Sequence, residues 1–85
     1  MSYTVKQHPK VVKFLSKCEK PLSDRIKNKF KLLEKEPFRY LEQYQGQDFY
    51  KLRIGDYRAL VDVDTSQKLI LIRFLDHRSK IYKRT

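Results

Sequence analysis

The strongest constraint on the fold lies between Phe49 and Leu75. Three segments, Phe49–Ile54, Tyr57–Val63 and Lys68–Leu75, are rich in β-branched and aromatic residues and are separated by turn formers. The first break is Gly55-Asp56, a two-residue connection with glycine first, as a type II′ hairpin prefers. The second is Asp64-Thr65-Ser66-Gln67. A two-residue loop sets the register, with Ile54 opposite Tyr57, Arg53 opposite Arg58 and Lys51 opposite Leu60. Alternation then gathers Tyr50, Leu52, Ile54, Tyr57, Ala59, Val61 and Val63 on one side, the core face. Phe49, Lys51, Arg53, Arg58, Leu60 and Asp62 fall on the other. A second turn of two or four residues pairs Arg58 with Arg73 and sends Ile70, Ile72 and Phe74 into the core. The expectation is a row of arginines, Arg53–Arg58–Arg73, across three strands with Lys51 beside it.

Like charges opposed on neighbouring strands destabilise a sheet by about 0.2–1 kcal/mol per pair. Such a row makes sense where an anion sits among the guanidiniums, and arginine is the side chain best shaped to grip phosphate. The competing structural reading is a twisted, solvated face on which the arginines splay apart and take Asp62 and Asp76 as partners. Leu60, Leu69, Leu71 and Leu75 fall on the same face. A run of exposed leucines points to a covered surface, under the C-terminal tail or a partner chain.

Upstream of the strands the period changes. Tyr3–Gln7 alternates as a short strand. Pro9 suits the first turn of a helix, and Val11, Phe14, Leu15 and Cys18 follow at i, i+3, i+4, i+7 as one apolar stripe. Cys18 lies on that stripe and reads as a core residue. Pro21 opens a second helix with Leu22, Ile26, Phe30 and Leu33 as its stripe, joined to the first at Glu19-Lys20 and ended by Pro37. Lys20, Lys27, Lys31 and Lys35 line the opposite side, a solvated face or one able to lean on a large RNA. Phe38–Asp48 reads as irregular, tethered by Tyr40, Leu41 and Tyr44. The order is that of an α+β domain: an N-terminal strand, a two-helix hairpin packed on an antiparallel sheet, and a C-terminal three-stranded meander.

Eighty-five residues support one domain, 1–85, with one thin core. Twenty Lys and Arg against ten Asp and Glu leave a net charge of +10. Residues 1–45 hold eleven basic and five acidic groups, and residues 46–85 nine and five, so the excess (+6 and +4) is spread along the chain. That balance favours polyanions such as RNA or DNA, or an acidic protein. No apolar run approaches the roughly 20 residues of a membrane span, and no secretory signal is visible, so a cytoplasmic, membrane-free protein is expected. A single cysteine excludes an internal disulfide. With His8 and His77 the only histidines, no metal site is expected.

The C-terminal stretch Asp76–Thr85 adds His77, Arg78, Lys80, Tyr82 and Lys83 just after the last strand. A helix or extended end there is expected to project His77, Arg78 and Tyr82 toward the charged sheet face.

Tyr50-Lys51-Leu52-Arg53-Ile54-Gly55-Asp56-Tyr57-Arg58, followed by Leu71-Ile72-Arg73-Phe74-Leu75-Asp76-His77-Arg78-Ser79-Lys80-Ile81-Tyr82, resembles the RelE/ParE superfamily of toxin–antitoxin toxins. These motifs cover about half of the chain, and the helix pair, meander and length agree along nearly all of it. The resemblance implies a toxin held inactive by a cognate, RelB-like antitoxin that wraps around it. RelE-like members enter the ribosomal A site and cut the mRNA there, without metal or cofactor. The 2′-OH attacks the adjacent phosphate and leaves a 5′-OH. By position, Lys51, Arg58, Arg78 and Tyr82 match family positions associated with cleavage. His77 stands near where some relatives place a catalytic histidine.

Arg53, Arg73, Lys80 and Lys83 are expected to bind RNA phosphates, with the helix lysines touching ribosomal RNA. In that chemistry Arg58 and Arg78 stabilise the charge of the phosphorane. Lys51, its neutral form favoured by Arg53 and Arg58, or His77 takes the 2′-OH proton. Tyr82 or His77 protonates the leaving oxygen, unless Tyr82 stacks on a base. Some RelE toxins carry a second lysine where this chain has Phe49. The ParE branch shares the fold, targets DNA gyrase and generally lacks this catalytic set. The retained set favours the RelE branch, with a ParE-like gyrase inhibitor or an inactive homologue that keeps antitoxin or RNA binding as alternatives.

Overall fold

A computed structural model describes residues 2–43, 46 and 48–77. The chain forms β1 (Thr4–Gln7), α1 (Pro9–Ser16), α2 (Lys20–Leu32), α3 (Pro37–Tyr40), β2 (Leu41–Gln43), β3 (Tyr50–Ile54), β4 (Tyr57–Asp64) and β5 (Leu69–His77). The strands make one mixed sheet in the order β1-β5-β4-β3-β2. The β3–β4–β5 meander is antiparallel as expected, and the α+β order holds. β1 joins in parallel, with Val5 beside Ile70. A parallel neighbour requires a crossover that brings the chain back, and here the helices and β2–β4 provide it.

Helix α1 starts where proline predicts, with a second signal as well: His8 is its N-cap, and its Nδ1 accepts from the Lys10 amide at 3.1 Å. Val11 and Leu15 are buried, while Phe14 and Cys18 are half-buried against the core. The Cys18 thiol donates to the Phe14 carbonyl at 3.3 Å, and burial pushes its pKa up. Helix α2 begins at Lys20 after its N-cap Glu19 and buries Ile26 and Phe30, followed by Leu33 at its end. It stops at Leu32, ahead of Pro37. Pro37 instead opens α3, and Phe38–Gln43, expected to be irregular, forms that short helix and β2. Leu41 pairs with Leu52 and enters the core, and Tyr40 packs at its edge. Tyr44 lies outside the described residues.

One core holds the two layers together. Val11, Leu15, Ile26, Phe30 and Leu33 from the helical layer meet Leu41, Leu52, Ile54, Ala59, Val61, Ile70, Ile72 and Leu75 from the sheet. The buried apolar residues of the sheet therefore face the helices. The other face of the sheet carries no helix among the described residues, and it is the face with the cations.

Candidate functional site

The hairpin behaves as the two-residue loop requires. Arg53 pairs with Arg58, Lys51 with Leu60 and Ile54 with Tyr57. Gly55 has φ +57°, and Asp56 is not among the residues with positive φ, the pattern of a II′ turn. Lys51, Arg53 and Arg58 thus emerge together on the open face.

The second turn spans Thr65–Lys68, since Asp64 pairs with Leu69. Asp64 Oδ1 accepts from the Ser66 hydroxyl at 2.7 Å and from the Ser66 and Gln67 amides at 3.0 and 3.1 Å. The Ser66 hydroxyl, more than the amides, holds the Asp64 pKa below its usual value. Lys68 takes the left-handed conformation at φ 55°, and its Nζ lies 5.0 Å from the centre of the Tyr3 ring. Continued without interruption, this register would set Arg58 opposite Leu75 and Leu60 opposite Arg73, because the strand resumes two residues later than the expected pairing needs. A bulge then shifts it by one more. Val61 pairs with Ile72 and Leu60 with Phe74, so Arg73 is the extra residue on β5. Every residue beyond it changes face. Leu75, expected outside, is buried in the core, and Phe74, expected inside, is only half-buried on the open face.

The later turn and the bulge together rewrite the arginine row. Arg58 stands opposite Asp76 instead of Arg73. Asp76 Oδ1 accepts from the His77 amide at 2.7 Å. Arg73 pairs with Asp62 at 3.3 Å and lies over the Phe49 ring, 5.2 Å from its centre. The splayed arrangement, with Asp62 as a partner, therefore applies to Arg73. The remaining cluster is Lys51, Arg53 and Arg58. Lys51 has Glu42 of β2 opposite it, with Nζ 3.8 Å from the carboxylate. Glu42 has no signature in the sequence, because a three-residue strand carries no period to read. Arg53 is exposed. Arg58 is 7% exposed, and its Nη1 donates to the carbonyls of Gly55 and Tyr57 at 3.2 and 3.1 Å. Among the described residues neither Arg53 nor Arg58 makes an ion pair. Arg58 is thereby tied to the turn it follows, with a fixed positive charge at the edge of the open face.

His77 goes the other way. As the last residue of β5 it pairs with Tyr57 and shares that residue's face, toward the helices. The two rings meet edge to face at 5.4 Å, and Phe14 packs on Tyr57 from α1 at 6.1 Å. The expected projection of His77 toward the arginines is not the arrangement seen, since strand alternation separates it from Arg58 by one face. Arg78, Lys80, Tyr82 and Lys83 lie outside the described residues. Leu60, Leu69 and Leu71 are half-buried beside Phe74, which leaves an apolar strip next to the cations. Among the described residues no three His, Cys, Asp or Glu side chains gather as a metal-binding set, and no helix is long and apolar enough to cross a membrane.

Comparison with known proteins agrees with this geometry. The family model of the ParE toxin of the type II toxin–antitoxin system parDE matches residues 5–82. The archaeal RelE–RelB complex from Pyrococcus horikoshii contains a chain of 33% identity and TM-score 0.78, with 94% of this chain and 99% of that one covered. The Mycobacterium tuberculosis toxin–antitoxin complex RelBE2 matches at 24% identity and TM-score 0.78, covering 93% and 94%. A mutant of the E. coli toxin RelE in the free state matches at 21% identity and TM-score 0.74, covering 98% and 93%. No curated protein matches the sequence. With hairpin, meander and helix pair in place and both lines of comparison in agreement, the chain belongs to the RelE/ParE superfamily of toxins of type II toxin–antitoxin systems.

Proposed function

We propose that this toxin is a RelE-like, ribosome-dependent endoribonuclease that cuts mRNA in the A site and so stops translation. The observation that carries the reading is the cationic trio Lys51, Arg53 and Arg58 on an open sheet face, with Arg58 held rigid by two backbone carbonyls. A fixed guanidinium suits a transition state that gains negative charge, because it need not reorganise as the charge develops. The cut uses no metal or cofactor. The 2′-oxygen forms a bond to phosphorus, the bond from phosphorus to the 5′-oxygen breaks, and a 2′,3′-cyclic phosphate and a 5′-OH result.

Lys51 takes the 2′-OH proton, Arg58 and Arg78 stabilise the phosphorane, and Tyr82 returns a proton to the 5′-oxygen. His77, on the helix side against Tyr57, is the weaker candidate for base. Arg53, Arg73, Lys80 and Lys83 hold flanking phosphates, and the exposed lysines of α2 face ribosomal RNA. A RelB-like antitoxin neutralises the toxin, as the RelE–RelB complexes of the relatives suggest. The protein acts in the cytoplasm as one domain over residues 1–85.

The matching family model is that of a ParE toxin, and this favours a second reading, inhibition of DNA gyrase. A paired assay separates the two. Purified toxin is added to a translating extract, where full-length mRNA is followed, and to gyrase with relaxed plasmid, where supercoiling is followed. Loss of mRNA with unimpaired supercoiling supports the nuclease. Stable mRNA with blocked supercoiling replaces it with the gyrase reading.

A further inference from the structure

A third arginine converges on the hairpin turn from the helical layer. Arg25 of α2 is exposed, and its Nη2 would lie 3.6 Å from a β-carbon built on Gly55. Arg58 reaches the same residue from the open face, with Nη1 3.2 Å from the Gly55 carbonyl oxygen. Oxygen and β-carbon of one residue lie about 3 Å apart, so the two guanidiniums are within roughly 10 Å of each other. Arg53 stands across the strand from Arg58. Among the described residues none of the three is in an ion pair. The nearby acids are Asp56, exposed within the turn, and Asp76, whose Oδ1 accepts from the His77 amide.

Three unneutralised guanidiniums around one turn repel each other unless an anion is shared among them. The absent side chain of Gly55 permits φ +57°, and Arg25 reaches to ordinary contact distance of where a β-carbon would stand. We propose that Arg25 is an RNA-binding residue and that Arg25, Arg53 and Arg58 form a phosphate subsite at the tip of the β3–β4 hairpin. Arg25 and Arg53 take a backbone phosphate next to the one that is cut, and Arg58 stands between the two phosphates. The proposal deepens the nuclease reading and rests on it for the identity of the polyanion as RNA.

The test is binding of an RNA octamer with 2′-O-methyl groups throughout, which removes the nucleophile and with it any cleavage. Fluorescence anisotropy across a salt series would compare wild type, Arg25→Gln, Arg25→Lys and the exposed α1 control Lys13→Gln, with melting curves to verify folding. Arg25→Gln is expected to weaken binding about tenfold at fixed salt. It should also reduce the slope of log K against log salt by about 0.7, the loss of one single-strand phosphate contact. Arg25→Lys keeps the slope but loses affinity about threefold, because the ammonium cannot make the planar fork. Lys13→Gln moves neither by comparable amounts. If Arg25→Gln matches Lys13→Gln in both quantities, the subsite is wrong. Cleavage by wild type in a translating extract reads the nuclease separately. Cuts with an unchanged Arg25→Gln slope overturn the subsite alone, and a reduced slope without cuts leaves the subsite standing and removes the nuclease.

Discussion

Arg58 carries a structural duty that its place in the site would hide. The perturbation is Arg58→Ala. The side chain is 7% exposed and gives Nη1 to two carbonyls, Gly55 at 3.2 Å and Tyr57 at 3.1 Å. A hydrogen bond from a charged donor contributes about 1.5–3 kcal/mol. Three things reduce the sum. One nitrogen serves both acceptors, Gly55 is exposed enough for water to replace the guanidinium there, and loss of Arg58 relieves about 0.2–1 kcal/mol of repulsion with Arg53.

The net expectation is a loss of about 2 kcal/mol. At about 4–8 °C per kcal/mol for a domain of this size, the melting temperature falls by about 8–16 °C. Arg53→Ala, on the exposed partner in the same register, should stay within about 0.5 kcal/mol of wild type or gain slightly. Thermal and urea melts of the purified proteins measure both. A fall below about 2 °C for Arg58→Ala, or equal falls for both variants, would refute the claim that Arg58 holds the turn. It would also mean that activity lost in Arg58→Ala reports chemistry alone.

Other consequences follow from the turns and the thiol. Gly55→Ala should cost about 1 kcal/mol in the same melts, from backbone strain at φ +57° alone, because the added methyl makes only ordinary contact with Arg25. Asp64 has a lowered folded pKa, so its contribution is present above its unfolded value of about 3.9 and is lost as pH falls through the folded one. The difference in melting temperature between wild type and Asp64→Ala should therefore be largest above pH 5 and shrink below about pH 4. Cys18, its thiol pKa raised by burial, should react with iodoacetamide more slowly than free cysteine at pH 8. The two rates should converge in denaturant.

The parts of the fold fixed by a counted loop were legible in the sequence. Gly55-Asp56 determines every pair of the first hairpin, and the predicted core face of β3 and β4 is the one buried. Beyond the second turn the reading lost its anchor. Leu69–Leu75 is apolar on both faces, so alternation reveals neither that the strand resumes opposite Asp64 only at Leu69 nor that Arg73 is an extra residue. The arginine row built on the expected register dissolves between the turn and the bulge. Only the change of side at Leu75 betrays it, and that needs the structure. β2 and α3 are too short to show a period, which hid Glu42 opposite Lys51. Arg25 was invisible for another reason. On the helix it is one cation among many, and only the tertiary approach of α2 to the Gly55 turn distinguishes it.

The central claim is that the open face cuts RNA by 2′-OH attack inside the ribosome, and the new ends carry its signature. Primer extension on an mRNA from a translating extract would locate them, with a ribosome-free control and with Arg58→Lys and Arg78→Ala beside wild type. Labelling of the 3′ fragments by polynucleotide kinase, with and without prior phosphatase, would identify their 5′ groups. The account predicts ribosome-dependent cuts that label without phosphatase, as a 5′-OH does, and that weaken strongly in both variants. Cuts bearing a 5′-phosphate, cuts that persist without ribosomes, or intact mRNA at every toxin concentration would contradict it.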